Sequence, residues 1–74
     1  MVIRYEIKKL AEVYEVKNQT ITAFEPKTRV TITEITEFGG VFFLCGEKEY
    51  YINANNEGGF DAVFGEIKGE SNEG

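Results

Sequence analysis

Residues 29–52 decide the fold, and they read RVTITEITEFGGVFFLCGEKEYYI. Three runs rich in Val, Ile, Phe, Tyr and Thr lie in this stretch, separated by glycine-containing turns at residues 39–40 and 46–48. β-branched and aromatic side chains suit a pleated, half-buried surface, and a Gly-Gly pair favours a tight hairpin turn. The stretch therefore predicts three consecutive antiparallel strands in a mainly β domain.

The first of these runs changes phase along its length. Val30 and Ile32 share one face, whereas Ile35 falls on the other. Because side chains alternate between the two faces of a strand, this pattern predicts either a β-bulge near Thr33 and Glu34 or two short strands that bend there. Strong bending of this kind is what a small closed barrel needs.

The second run, VFFLC at residues 41–45, has no alternation. A continuous apolar strand is either buried on both faces or partly exposed for a partner, and the sequence leaves both interpretations open. Cys45, at the end of the run, is most simply a small core residue.

The N-terminal segment also has the pattern of a strand. Ile3, Tyr5 and Ile7 fall on one side, with charged residues between them. A helix is the alternative, since residues 3, 7, 10 and 14 have helical spacing, but the predominance of Val, Ile and Tyr and the lack of an N-cap favour a strand. Residues 12–17 alternate again and lead through a turn into a predicted strand at 20–24.

The C-terminal third is less regular. Residues 53–59 are polar and glycine-rich, which predicts a loop. Phe60, Val63 and Phe64 have the spacing of one short helical turn, near residues 60–64. Residues 66–68 are expected to close the sheet as a last strand.

Composition excludes several kinds of chemistry. The 74 residues include no His and one Cys, which excludes Cys/His zinc sites, Cys–His pairs and Ser-His-Asp triads. A single cysteine forms no internal disulfide, and no apolar run approaches the roughly 18 residues of a membrane span. We therefore expect a cytoplasmic protein with one domain, residues 1–68, and a disordered tail at 69–74.

Two patterns of acidic and amide residues suggest a calcium site and a catalytic pair of carboxylates, but each lacks features that such a site requires. The pattern N-x-N-x-E-G at residues 53–58 resembles the start of a calcium loop, but its first position lacks Asp and its twelfth, Phe64, is not the required Glu. Glu47 and Glu49 share a strand face beside a turn, where solvation is the default for both carboxylates. We expect no metal, no cofactor and no enzymatic activity.

Charge is distributed unevenly along the chain. The net charge is −5: residues 1–33 carry six Lys/Arg against four Glu, or +2, and residues 34–74 carry two Lys against nine Asp/Glu, or −7. An acidic rim around an aromatic centre is typical of a protein interface that is steered to a basic partner. The alternative is a solvated face that keeps a small domain soluble. The predicted partner-binding residues are Phe42, Tyr50, Tyr51, Asn55 and Phe60 for contact, with Glu47, Glu49, Glu57 and Asp61 for steering.

The order of strands and turns from residue 20 to residue 67 resembles that of Src-homology-three-like barrels. The segments that carry the resemblance are F-x-P-K-x-R-V-x-I at 24–32, G-G-V-F-F at 39–43 and Y-I-x-A-N at 51–55. It implies a small barrel of five to six strands, and an oligonucleotide-binding-type barrel fits nearly as well. Peptide-binding members of the first family use a Trp pair for proline-rich ligands, and this chain has no Trp, so that activity is not carried over.

Small acidic chains of this kind also resemble, in type, the accessory proteins of phages and mobile elements, which often inhibit host enzymes by occupying a basic site. The sequence thus predicts a non-enzymatic module that binds a basic protein partner, with no membrane role. Two alternatives stay open. One is a structural subunit that pairs with a copy of itself or an assembly neighbour through strand 41–45, and the other is a barrel that binds single-stranded nucleic acid.

Overall fold

The computed structural model describes residues 4–67. The seven strands and the single α-helical turn are β1 (Arg4–Ile7), β2 (Ala11–Glu15), β3 (Thr20–Phe24), β4 (Arg29–Ile35), β5 (Gly40–Cys45), β6 (Lys48–Asn53), α1 (Phe60–Val63) and β7 (Phe64–Glu66). A 3₁₀ helix, Ala54–Glu57, precedes α1. All seven strands join one antiparallel sheet in the order β3-β2-β6-β5-β4-β1-β7, so β3 and β7 are its end strands.

The architecture confirms part of the sequence-based prediction. The mainly β class is confirmed, the N-terminal segment forms strands rather than a helix, and the predicted helical turn is α1. The closed barrel of five to six strands is not what forms. There are seven strands, and no ladder among residues 4–67 joins β3 to β7, which is only three residues long. The predicted tail at 69–74 lies outside the described residues.

The predicted loop after β6 is largely helical. Asn53 Oδ1 accepts a hydrogen bond of 3.0 Å from the backbone N–H of Asn55, and this local bond starts the 3₁₀ helix. Gly58 ends the helix with a φ of 99°, a conformation that glycine adopts without strain. The segment is therefore an ordered connection between β6 and α1.

The core forms where the sheet curls around Phe43. The Phe43 side chain is 0% exposed. Its ring centroid lies 5.7 Å from that of Tyr50 on β6, 5.9 Å from that of Phe24 on β3 and 5.5 Å from that of Phe64 on β7. Because β3 and β7 are the two ends of the sheet, their contact with one central ring shows that the sheet wraps around its inner face.

Of the two alternatives that the sequence left open for β4, the structure has the β-bulge. Ile32 pairs with Phe43 of β5 and Glu34 pairs with Phe42, so Thr33 is the extra residue at which the register shifts. The Thr33 hydroxyl donates to the Phe42 carbonyl at 3.1 Å. The bulge therefore places Glu34 directly beside Phe42 on the side of the sheet away from the core.

The position of β5 bears on the expectation of self-pairing through residues 41–45. β5 pairs with β4 on one side and with β6 on the other. A strand in the middle of a sheet has no unpaired edge to offer a further strand. Self-pairing through the main chain of this strand is thus incompatible with the fold, and an end strand would have to serve instead.

A buried carboxylate anchors the turn between β2 and β3. The Glu15 residue is 6% exposed, and its Oε2 accepts a 2.7 Å hydrogen bond from Asn18 Nδ2 and lies 3.8 Å from Lys48 Nζ. Burial of an acidic side chain requires partners of this kind. The contact with Lys48 also ties this turn to the start of β6.

The hairpin between β4 and β5 depends on Gly39. Its φ is +90°, and a Cβ built there would overlap the Asn55 side chain amide. We expect Gly39→Ala to lower the free energy of unfolding by about 1–3 kcal/mol, through backbone strain and this overlap. Gly46→Ala is the matched control, since Gly46 has a φ of +68° but nothing within 4 Å of its Cβ position. Urea denaturation measures both variants, and an equal loss in the two would contradict a role for Asn55.

Candidate functional site on the outer face of the sheet

Alternation along β5 and β6 separates a core face from an outer face. Val41 and Phe43 are buried, so Phe42 and Leu44 between and beyond them point away from the core. On β6, Tyr50 is buried and Tyr51 points outward. The continuous apolar run of β5 therefore has one buried side and one partly exposed side, so it is not buried on both faces.

Strand register aligns four apolar side chains across the outer face. Tyr51 is opposite Phe42 of β5 and also opposite Tyr14 of β2, which in turn is opposite Ile21 of β3. Directly opposite side chains lie about 4.5–5.5 Å apart at Cβ. Ile21 is 64% exposed and Tyr14 is 37% exposed. We call this set, Ile21, Tyr14, Tyr51 and Phe42, the outer row.

The centre of the outer row is packed and ordered. The rings of Phe42 and Tyr51 have centroids 4.9 Å apart and are tilted by 53°. A Cβ at Gly40 would lie 2.8 Å from the Tyr51 ring edge and 2.8 Å from its hydroxyl oxygen. The Tyr51 ring thus covers the Gly40 backbone, a close approach that needs glycine. A contact surface fixed in this way loses little side-chain entropy on binding.

Three carboxylates accompany the outer row on the same face. Glu34 is opposite Phe42, at the end of the row. Glu49 is on the outward phase of β6, opposite Leu44, and Glu12 is on the outward phase of β2. All three are exposed. The outer face therefore has an aromatic middle with negative charge at its rim.

The tip of the β4–β5 hairpin adds an exposed aromatic residue beside this surface. Phe38 is 76% exposed. Its carbonyl accepts a hydrogen bond of 3.3 Å from Asn55 Nδ2, and the Thr36 hydroxyl accepts one of 2.9 Å from the N–H of Gly40. These bonds fix the hairpin, so Phe38 is held in solvent by an ordered turn.

The opposite margin of the outer face contains two arginines. Arg4 of β1 is opposite Thr31 of β4, which is opposite Leu44 of β5. These residues, with Arg29, Val30 and Gly46, line an open groove of about 280 Å³. Both arginines take part in interactions within the protein. The outer face thus has acidic residues around its aromatic middle and two arginines at its β1 margin, where Arg29 is opposite Glu6.

The structure divides the aromatic residues that were predicted for partner contact. Phe42 and Tyr51 lie side by side on the outer face, and Asn55 lies against the neighbouring hairpin. Tyr50 lies in the core instead, with its ring 4.8 Å from that of Phe24. Phe60 is half-buried, with its ring 5.5 Å from that of Tyr5. Tyr50 is therefore corrected to a core residue, whereas Phe60 packs against the core and keeps part of its surface exposed.

The predicted acidic residues are likewise divided. Glu49 is on the outer face, and Glu47 is exposed in the turn between β5 and β6. Glu57 Oε1 lies 3.6 Å from Lys9 Nζ, which also donates to the Glu57 carbonyl at 2.8 Å. Glu57 therefore forms an ion pair with Lys9, and the two contacts help to hold the 3₁₀ helix in place.

Asp61 also helps to hold the segment with the 3₁₀ helix and α1 in place. Its carbonyl accepts a hydrogen bond of 2.7 Å from Lys8 Nζ, and its side chain is exposed. The two neighbouring lysines therefore hold the segment 57–61 against the connection between β1 and β2. Asp61 and Glu57 belong to α1 and the 3₁₀ helix, not to the strands that carry the outer row.

Sequence reasoning missed half of the outer row. The alternation of residues 12–17 does place Glu12 and Tyr14 on one face, and that signal was available. What the sequence lacks is the pairing of β2 with β6, which are separated by more than thirty residues of chain. Without that pairing, Tyr14 and Ile21 have no visible connection to Phe42 and Tyr51.

The described part of the chain holds no arrangement that suits a metal ion. Among residues 4–67, no three His, Cys, Asp or Glu side chains converge on a common point. The same residues form no helix with the length and apolar character needed to cross a bilayer. Every buried side-chain nitrogen and oxygen in this range has a hydrogen-bond partner.

In comparisons with known proteins, no family model, no curated protein and no solved structure matches the chain.

Proposed function

We propose that the chain is a non-enzymatic binding protein whose outer face docks on a basic surface of a protein partner. The observation that carries the proposal is the ordered pair of Phe42 and Tyr51, with ring centroids 4.9 Å apart and Glu34 beside them in register. Aromatic side chains at the centre of an interface supply most of its binding energy. Carboxylates at the rim raise the association rate with a positively charged partner.

The chemistry of the outer face suits arginine side chains in particular. A guanidinium group stacks on an aromatic ring and donates two parallel hydrogen bonds to a carboxylate. Tyr51 and Phe42 provide rings, and Glu34 and Glu49 provide carboxylates within the same surface. An arginine-rich partner surface can therefore satisfy both kinds of contact at once.

The biological role that we propose is that of a small accessory protein or inhibitor of the phage type, acting in a cytoplasm. Its support is the net charge of −5 and the concentration of acidic residues in residues 34–74. A small protein with an acidic, aromatic face can cover a basic site on a larger enzyme. The curled seven-stranded sheet serves as the scaffold that fixes that face.

Charge reversal tests the location of the docking surface. We expect the triple variant Glu12→Lys, Glu34→Lys and Glu49→Lys to lose, in affinity capture from a cell lysate, every partner that the unchanged chain retains specifically. The loss follows because like charges would meet across the interface. The matched control reverses Glu25, Glu47 and Asp61, which change the net charge equally but lie off the outer row. Equal capture by both variants, or equal loss, would contradict docking through this face.

A second candidate function is binding of single-stranded nucleic acid. The groove lined by Arg4 and Arg29 at the margin of an aromatic face favours it, because bases stack on aromatic rings while arginines contact phosphates. The net charge of −5 opposes it. Titration with fluorescent single-stranded oligonucleotides at low salt distinguishes the two functions. Saturable binding that weakens as salt is raised would favour nucleic acid over the basic protein partner.

A further inference from the structure

The end strand β3 has an edge that no other described strand covers. In an antiparallel ladder, the N–H and C=O groups of alternate residues point to opposite sides of the strand. The N–H of Val16 donates to the Glu49 carbonyl of β6 at 3.0 Å, whereas the Glu15 carbonyl accepts from the Gln19 N–H in the turn to β3, at 2.8 Å. Odd-numbered residues of β2 therefore direct their main-chain groups to β3, and even-numbered ones to β6.

This alternation identifies the groups that β3 leaves at its open edge. Thr22 is opposite Val13, an odd-numbered residue of β2, so Thr22 bonds to β2. Ile21 and Ala23 are opposite even-numbered residues, and their N–H and C=O groups consequently point to the open edge. Their side chains are exposed and lie on the outer face.

The two end strands differ in how they are protected against pairing. β7 is three residues long and contains Gly65 and the acidic Glu66. β3 is five residues long, reads TITAF and keeps an uninterrupted register with β2. Natural edge strands are commonly blunted by charges, proline, bulges or shortness. β3 shows none of these within its bounds.

We propose that β3 pairs antiparallel with β3 of a second copy of the chain, about a two-fold axis through Thr22. In this register Ile21 of each copy exchanges a pair of N–H···O=C bonds with Ala23 of the other, so both outward-pointing residues are used. A two-fold axis through Ile21 or Ala23 would instead pair that residue with the same residue of the second copy. Fewer of the outward-pointing N–H and C=O groups would then be bonded. This inference does not depend on the proposed function.

The distribution of charge favours a second copy as the occupant of this edge. Residues 18–24 contain no charged side chain, whereas the net charge of −7 falls on residues 34–74. Two copies can therefore meet at β3 without bringing their acidic halves together. An isologous contact of this kind is also the commonest way in which identical chains associate.

The pairing has a consequence for the outer face. Because the outward-pointing main-chain groups belong to Ile21 and Ala23, the paired side chains of the two copies lie on the same side of the joined sheet. Ile21, at the end of each outer row, then lies beside Ala23 of the other copy on the same face, and Ala23 is in register with Glu12. Two five-residue strands bury little surface, so we expect a weak dimer with a dissociation constant in the high micromolar to millimolar range.

Sedimentation equilibrium over a concentration series tests the dimer. We expect the unchanged chain to dimerise, and Ile21→Lys with Ala23→Lys to weaken the association by about tenfold or more, because lysines would face each other across the axis. The control Ile35→Lys with Phe38→Lys makes the same charge change at residues that are 55% and 76% exposed but lie away from β3, and it should dimerise as before. A monomer at millimolar concentration, or a dimer equally strong in both variants, would overturn the proposal.

A second measurement tests the register and guards against misfolding of the lysine variant. In a Cys45→Ser background, Thr22→Cys places one cysteine on the two-fold axis in a pair without main-chain hydrogen bonds, where the Cα separation suits a disulfide. We expect oxidation to give a cross-linked dimer with an unchanged circular dichroism spectrum. A dimer that does not cross-link would overturn the Thr22-centred register. Capture of a basic partner by this cysteine variant, whose outer row is unchanged, separates failure of this inference from failure of the proposed function.

Discussion

Phe43→Ala should lower the free energy of unfolding by about 3–5 kcal/mol, which is most of the stability available to a domain of this size. Phe43 is fully buried, and its ring contacts those of Phe24, Tyr50 and Phe64. Its removal leaves a cavity at the point where the two ends of the sheet meet, and neighbouring strands cannot close around it without losing their own contacts.

The neighbouring residue provides the control for this variant. Phe42→Ala removes an equal side chain from the outer face, and we expect it to cost about 1 kcal/mol or less, the loss of one cross-strand pair. Urea denaturation followed by circular dichroism measures both. A Phe42→Ala variant as unstable as Phe43→Ala would contradict the assignment of the two faces of β5.

Tyr51→Ala should reduce the affinity for a basic partner by about thirtyfold, equivalent to about 2 kcal/mol, while the protein stays folded. Tyr51 is the central member of the outer row, in register with Phe42 on one side and with Tyr14 on the other. Removal of its ring uncovers the Gly40 backbone and leaves a gap between Phe42 and Tyr14.

The adjacent tyrosine gives the matched comparison for binding. Tyr50 is buried with its ring packed on Phe24 and Phe43, so Tyr50→Phe keeps that packing and should keep the affinity of the unchanged chain. Isothermal titration calorimetry with a partner obtained by affinity capture measures both variants. An equal loss of affinity in Tyr50→Phe and Tyr51→Ala would contradict contact through the outer face.

Local patterns were sufficient to predict the strands and the bulge. Alternation predicted strands in the N-terminal segment and over residues 12–17, where β1 and β2 form. The change of phase between Ile32 and Ile35 predicted either a bulge near Thr33 and Glu34 or two short strands, and the structure has the bulge. The opposite faces of Tyr50 and Tyr51 were also readable, since Tyr50 alternates with Ile52 and Tyr51 with Glu49. Sheet closure and the number of strands could not be predicted from the sequence, because both depend on pairings between distant segments.

The candidate site was only partly predictable for the same reason. Phe42, Tyr51 and Glu49 belong to one hairpin, and the sequence places them together. Tyr14 joins them only through the ladder between β2 and β6, which no local pattern encodes. The sequence predicted no ion pair for the Glu57 carboxylate. It pairs with Lys9 because the helical connection folds back on the β1–β2 segment.

Mapping the binding of an oligo-arginine peptide to the ¹⁵N-labelled protein by NMR tests the docking surface most directly. The peptide supplies guanidinium groups without a fold of its own, so the shifts report which part of this chain recognises them. We expect the perturbed amide signals to cluster at Tyr14, Phe42 and Tyr51 and to be lost in the variant with Glu12, Glu34 and Glu49 reversed. Perturbations confined to the acidic turn at Glu47 and to Asp61, or unchanged in that variant, would contradict docking through the outer face.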